Sequence, residues 1–123
     1  MKYIIPGIPP SLNRFAGRKN EWEWRQAKNE WSDRVGWLCR PVSGMPYARA
    51  KVTLTYFFPD KRRRDPDNYS GKLILDGLTR AGIIKDDSFD CIDLYLKRGG
   101  VDKKNQRVEI EVVPIGDEHH DRD

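Results

Sequence analysis

The sequence predicts an α+β fold: a small mixed β-sheet packed with two helices, in one domain of 123 residues. Three observations predict it. Ala50 to Phe58 alternates apolar and polar side chains, as a half-buried strand does. Glu21 to Cys39 sets apolar residues at steps of three and four, as an amphipathic helix does. The segment order strand, helix, strand, helix, strand, strand then asks for a mixed sheet with helical connections. Charged residues make up 34% of the chain and hydrophobic ones 37%, a polar composition that leaves a modest core.

Taken in order, Lys2 to Ile5 is a short apolar start, a strand ending at Pro6-Gly7. Pro9-Pro10-Ser11 reads as an extended loop. Asn13, Arg14, Arg18 and Lys19 make the next segment polar and basic, either a solvated loop or an arm that contacts an anionic partner. In the first helix Trp24, Ala27, Trp31, Val35 and Leu38 form the apolar stripe, so Trp24 and Trp31 are expected in the core and Trp22 is left for a partner. Pro41, Gly44 and Pro46 break the chain. In the strand that follows, Ala50, Val52, Leu54 and Tyr56 share one face.

A second helix is expected from Tyr69 to Ala81, with Asp67 or Asn68 as N-cap, Ile74, Leu78 and Ala81 on its apolar side, and Gly82 as a left-handed stop. Cys91 to Lys97 alternates again. Gly99-Gly100 and Lys103-Lys104-Asn105 are expected to turn the chain into a hairpin with Val108, Ile110 and Val112. Residues 1–115 form the predicted domain, and 116–123 an acidic tail expected to be disordered, whose His119 and His120 lack partner ligands at a recognised spacing. The tail carries −3 of a formal +4, which leaves +7 on the rest and suits an anionic partner. Cys39 and Cys91 have no metal-ligand spacing and form no disulfide framework. No stretch reads as a signal peptide or membrane span, so a cytoplasmic place is expected.

Chemistry concentrates between Arg62 and Asp87. Pro66 holds Asp65 in an extended conformation, and in an extended segment residues 65 and 67 point the same way. Two converging carboxylates oppose each other's ionisation unless a cation lies between them. Mg²⁺ meets that need with hard oxygen ligands, water and substrate phosphate. Arg62, Arg63 and Arg64 supply a surface that attracts phosphate. Lys72, beyond Asn68 and before Asp76 at steps of four, faces back toward the carboxylates, where a cation stabilises a phosphorane-like transition state. The same residues also read as a turn, a helix cap and an ordinary ion pair.

Arg64-Asp65-x-Asp67-Asn68, Lys72, Asp76-x-Leu78, Ala81-Gly82 and Asp86-Asp87, with Pro9-Pro10-Ser11-x-Asn13-Arg14 ahead of them, resemble the RusA-like Holliday junction resolvases, endonucleases that cut four-way DNA junctions. The resemblance spans most of the chain. It implies a RusA-like dimer fold, a homodimer binding branched DNA on a basic face that includes Asn13, Arg14, Arg62, Arg63 and Arg64. It also implies Mg²⁺-dependent phosphodiester hydrolysis, with Mn²⁺ as substitute. Asp65, Asp67 and Asp87 match the family's catalytic, metal-holding acids, and Lys72 its lysine.

One departure stands out: in the family pattern the lysine follows the second aspartate one residue sooner. Inside a helix the added residue turns a side chain by about 100°. At the cap it does less harm, so Tyr69-Ser70-Gly71 is expected to be partly non-helical. A helix from Tyr69 to Ala81 is about 20 Å long, and five residues beyond Gly82 return at most roughly 17 Å. Asp87 is therefore expected either just to reach its own site or to serve the partner subunit's, and Asp86 competes for the same role. Two other readings remain: a non-catalytic DNA-binding protein that grips phosphates with Arg62–Arg64 and Lys103-Lys104, and a less selective metal-dependent nuclease.

Overall fold

The computed structural model describes residues 1–15 and 20–116. Arg18, Lys19 and the acidic tail from Asp117, with His119 and His120, lie outside the described residues. The elements are β1 (Lys2–Pro6), α1 (Glu21–Leu38), β2 (Ala50–Phe58), α2 (Lys72–Arg80), β3 (Ile92–Val101) and β4 (Arg107–Pro114), with short 3₁₀ turns at Leu12–Phe15 and Pro66–Tyr69. The architecture is the expected α+β one, a four-stranded mixed sheet with two helices.

The strand order is β1-β4-β2-β3, with β2 parallel to β3 and β4 antiparallel to β1 and β2. This overturns the expected hairpin of the last two strands. β2 lies between them, buried on both faces where Val52, Thr53 and Leu54 follow one another. Residues 102–106 step over the end of β2, and the Asp102 N–H donates to the Phe58 carbonyl at 2.8 Å, which closes the gap. Two strand spacings are about 9.6 Å, well within the roughly 17 Å that five residues span. Gly99-Gly100 is part of β3 instead of a turn. The ladder shifts there, pairing Tyr56 with Arg98 and Phe57 with Gly100, and a Cβ on Gly99 would collide with the Phe57 ring.

Parallel β2 and β3 need a crossover, and α2 supplies it. Both helices pack on the sheet face that carries Ile5, Val52, Leu54, Tyr56, Ile110 and Val112, all buried. The α1 stripe contributes Trp31 and Val35, with Trp24 half-buried edge-on against Phe15 at 5.2 Å. Leu38, expected in that stripe, is exposed. The helix ends on it, Cys39 turns extended, and the chain buries the cysteine instead. Trp22 and Trp37 are both exposed.

The second helix starts later than predicted, and this correction positions the site. Pro66–Tyr69 is a 3₁₀ turn, Gly71 adopts φ 86°, and only then does α2 begin, so its N-cap is Gly71 and not Asp67 or Asn68. A Cβ at Gly71 would strike the Leu54 side chain, so the position needs glycine for both conformation and space. Tyr69-Ser70-Gly71 thus stands outside the α-helix, in line with the expectation that it is partly non-helical. Gly82, at φ 82°, is the left-handed stop that the sequence predicts. Among the described residues no helix is long and apolar enough to cross a membrane.

Candidate functional site

Asp65 is extended, at φ −97° and ψ 135°, as a residue before proline should be. Asp67 is not: it lies in the 3₁₀ turn, so strand alternation does not align the two carboxylates as the sequence predicts. Asp65 accepts a hydrogen bond from Arg63 Nε at 3.2 Å, and Asp67 is exposed. Both stand on the segment that leaves the C-terminal end of β2, a rigid support for a site.

The three arginines divide. Arg62 and Arg63 reach into solvent, their side chains 78% and 88% exposed, whereas Arg64 is 15% exposed. Its guanidinium pairs with Asp60 at 2.9 Å, donates to the Asp60 and Arg62 carbonyls, and lies over the Phe58 ring at 4.4 Å. Asp60 has a lowered pKa because the Arg62 backbone N–H and then the Arg64 side chain donate to it. Arg64 thus braces the loop, and Arg62 and Arg63 are the exposed cations of the run.

Lys72 opens α2 instead of standing a turn inside it. Its ammonium lies 3.2 Å from Asp76 Oδ1, one helical turn on, and 4.0 Å from Asp87 Oδ2. Asp87 therefore returns to the start of α2 within its own chain, which the later start of the helix makes possible. Nine residues make α2 about 13.5 Å long. Of the two adjacent acids, Asp87 is half-buried and turned to Lys72, while Asp86 is exposed. Lys28 of α1 approaches Asp76 Oδ2 at 3.9 Å, yet that oxygen is buried with no hydrogen bond among the described residues.

Sequence reasoning offered the Lys72–Asp76 ion pair that the structure shows but missed Lys28 as a member of this cluster. The step of four from Lys72 to Asp76 was visible, but nothing in α1 signals Lys28. Asn13 and Arg14 are exposed on the 3₁₀ turn Leu12–Phe15, which packs against Pro66–Tyr69. Pro9, Pro10 and Leu12 share a small cleft with Asn68, Gly71 and Lys72. The fold thus brings together two motifs more than fifty residues apart in the chain.

Mg²⁺ takes hard oxygen donors, and one or two carboxylates with water and phosphate suffice. Asp76 and Asp87 address one ammonium, and Asp76 keeps an unsatisfied oxygen, so donors of the right type and number are present. Among the described residues no group of three or more His, Cys, Asp or Glu side chains has metal-binding geometry, so Asp65, Asp67 and Asp87 are not gathered as one ligand set. Comparison with protein-family models finds no match for this chain, and comparison with curated proteins finds none either.

Proposed function

We propose that the chain is a RusA-like, Mg²⁺-dependent endonuclease that resolves four-way DNA junctions as a homodimer in the cytoplasm. One observation carries the reading: the Pro9 to Arg14 motif and the Asp65 to Lys72 motif, remote in sequence, meet at one end of the sheet, with Asp87 brought to Lys72 beside them. A purely structural turn and cap would not need that convergence of cations and acids.

In this reading Asp87, Asp65 and Asp67, which the chain alone does not gather as one ligand set, would hold the ion once DNA is bound, and its chemistry there would be to polarise the phosphate and make a neighbouring water acidic. Lys72 sets positive charge where the phosphate acquires negative charge, and Asp76 fixes the ammonium in place. Arg62 and Arg63 orient the strand through its phosphates. A phosphate competing for Arg63 would free Asp65 from its present partner. For the dimer, the free edge of β3 is the favoured face. Phe89, fully exposed, stands beside half-exposed Leu94 and Tyr95 there, and an unpaired strand edge invites another chain.

The deciding experiment compares cleavage of a synthetic four-way junction with that of linear duplex of the same sequence, in Mg²⁺ and in EDTA. Paired nicks in the junction alone are expected. Intact junction in Mg²⁺ and Mn²⁺ would leave a DNA-binding protein, and equal cutting of both substrates a less selective nuclease. Mixing Asp65→Asn and Asp87→Asn proteins then assigns the acids to subunits: regained nicking means a site shared across the dimer.

A further inference from the structure

Beside this cluster lies a pocket whose aromatic wall the mechanism above does not use. Its cavity volume is about 100 Å³, below the roughly 300–1,000 Å³ of sites that enclose a whole small molecule. It opens at the carboxyl ends of the parallel strands β2 and β3, where open sheets with helical crossovers place their ligands. Tyr56, Phe58 and Tyr69 form its aromatic wall, with ring centroids 5.3 to 5.9 Å apart. Leu96 adds an apolar side.

The rim is cationic. Arg62, Lys97 and Arg98 stand around the opening, and Lys97 and Arg98 have no ion-pair partner among the described residues. Arg64 contributes its guanidinium over Phe58, a second kind of flat surface on which bases stack. The single acid at the pocket, Asp65, is engaged by Arg63. Tyr56 is 3% exposed, and its hydroxyl is buried with no hydrogen-bond partner among the described residues. A wall of rings beneath a ring of cations is what single-stranded nucleic-acid sites combine: stacking for the base and charge for the backbone.

We propose that this pocket takes one unstacked base of a DNA strand whose phosphates lie on Arg62, Lys97 and Arg98. The assignment of the strand to DNA rests on the function proposed above. Asp65 lines the pocket and belongs to the proposed acid set, so the held base neighbours the phosphate to be cut. The site thus selects branched DNA, whose crossover nucleotides leave the stack more readily than those of linear duplex.

The test measures, in EDTA, the affinity of the full chain for a labelled thymidylate strand of about eight nucleotides. An abasic strand of equal length, which keeps the phosphates and lacks the bases, is the reference. About tenfold tighter binding of the thymidylate strand is expected. That ratio should fall to about one in Leu96→Trp, which fills the pocket, and in Tyr69→Ala, which removes part of its wall. Circular dichroism identifies which variants fold, and either suffices.

Equal affinities in the wild type, or a ratio that survives in a folded variant, would overturn the proposal. Displacement of the strand by thymidine 5′-monophosphate at matched nucleotide concentration would also overturn it, in favour of a free-nucleotide site. Neither metal nor cleavage enters the measurement. Base-dependent binding without junction cleavage sinks the nuclease reading alone, and cleavage without base-dependent binding sinks the pocket alone.

Discussion

Two clusters of cations and carboxylates flank the sheet, and they are built differently. Where the link from β3 enters β4, Arg107 donates to Asp102 at 2.8 Å and to Glu109 at 2.9 Å, and it lies over the Phe57 ring at 4.0 Å. Asp102 also accepts from the Asn105 backbone N–H. At the start of α2, Lys72 reaches Asp76 and Asp87 at 3.2 and 4.0 Å, and Asp76 keeps a buried oxygen with no hydrogen bond among the described residues. The first is a closed clamp whose partners serve each other. The second holds unspent donor and acceptor capacity, which costs stability unless something else uses it. That contrast separates a structural cluster from a candidate working one.

The largest expected effect tests the contrast directly. Lys72→Ala and Asp87→Asn should each lower junction cleavage by about 10²–10³-fold, the loss typical of one removed transition-state contact, while leaving the melting temperature nearly unchanged. Arg107→Ala should do the reverse, lowering the melting temperature and sparing the rate per folded molecule. Single-turnover cleavage and thermal unfolding of the same preparations decide the matter. A Lys72→Ala protein that cuts at the wild-type rate would make its cluster as structural as the other. Asp76→Asn should fall between, slowing cleavage because Lys72 loses its anchor.

The same contrast explains how much the sequence revealed. The bounds of β2 and the length of α1 were legible, since alternation and helical spacing report burial directly. Strand neighbours were not. Val108, Ile110 and Val112 alternate correctly for a hairpin with β3 and equally for pairing with β2, because alternation fixes a face and not a partner. Thr53, on the face that alternation marks as polar, is buried in the central strand β2. Within the site, Asp65, Asp67 and Lys72 stood out by spacing, whereas Asp87 stood out only through the resemblance. The approach of Asp87 to Lys72 was not readable, since it depends on where α2 begins, and that in turn on Gly71. The pocket draws on β2, the following loop and β3, so no single window of sequence contains it.

Gly71 offers the next effect in size, because it lets the loop and α2 meet at the Lys72 cluster. At φ 86° an alanine is strained, and its Cβ would displace Leu54 in the core. Gly71→Ala should destabilise the protein by about 1–3 kcal/mol, the cost of a residue held in a sparsely populated backbone region. Cleavage should fall further than unfolding explains, since Lys72 moves with the cap. Urea unfolding with cleavage assayed well below the midpoint separates the two losses. Full activity per folded molecule would show that the cap does not set the position of Lys72.

The smallest effect lies in the closed clamp and appears only with acid. Asp102 has a lowered pKa, first because Arg107 donates to it and then because the Asn105 backbone N–H does. Its folded value is thus below the unfolded one of about 3.9. The stability it contributes is fully present above that unfolded value and is lost as pH falls through the folded one. Asp102→Asn should therefore be less stable than wild type near neutrality, and the gap should close as acid protonates the wild-type carboxyl. Thermal unfolding of both proteins from pH 7 to pH 2 measures it. A gap that stays constant with pH would mean that the Asp102 carboxylate charge contributes nothing and that the clamp holds by shape alone.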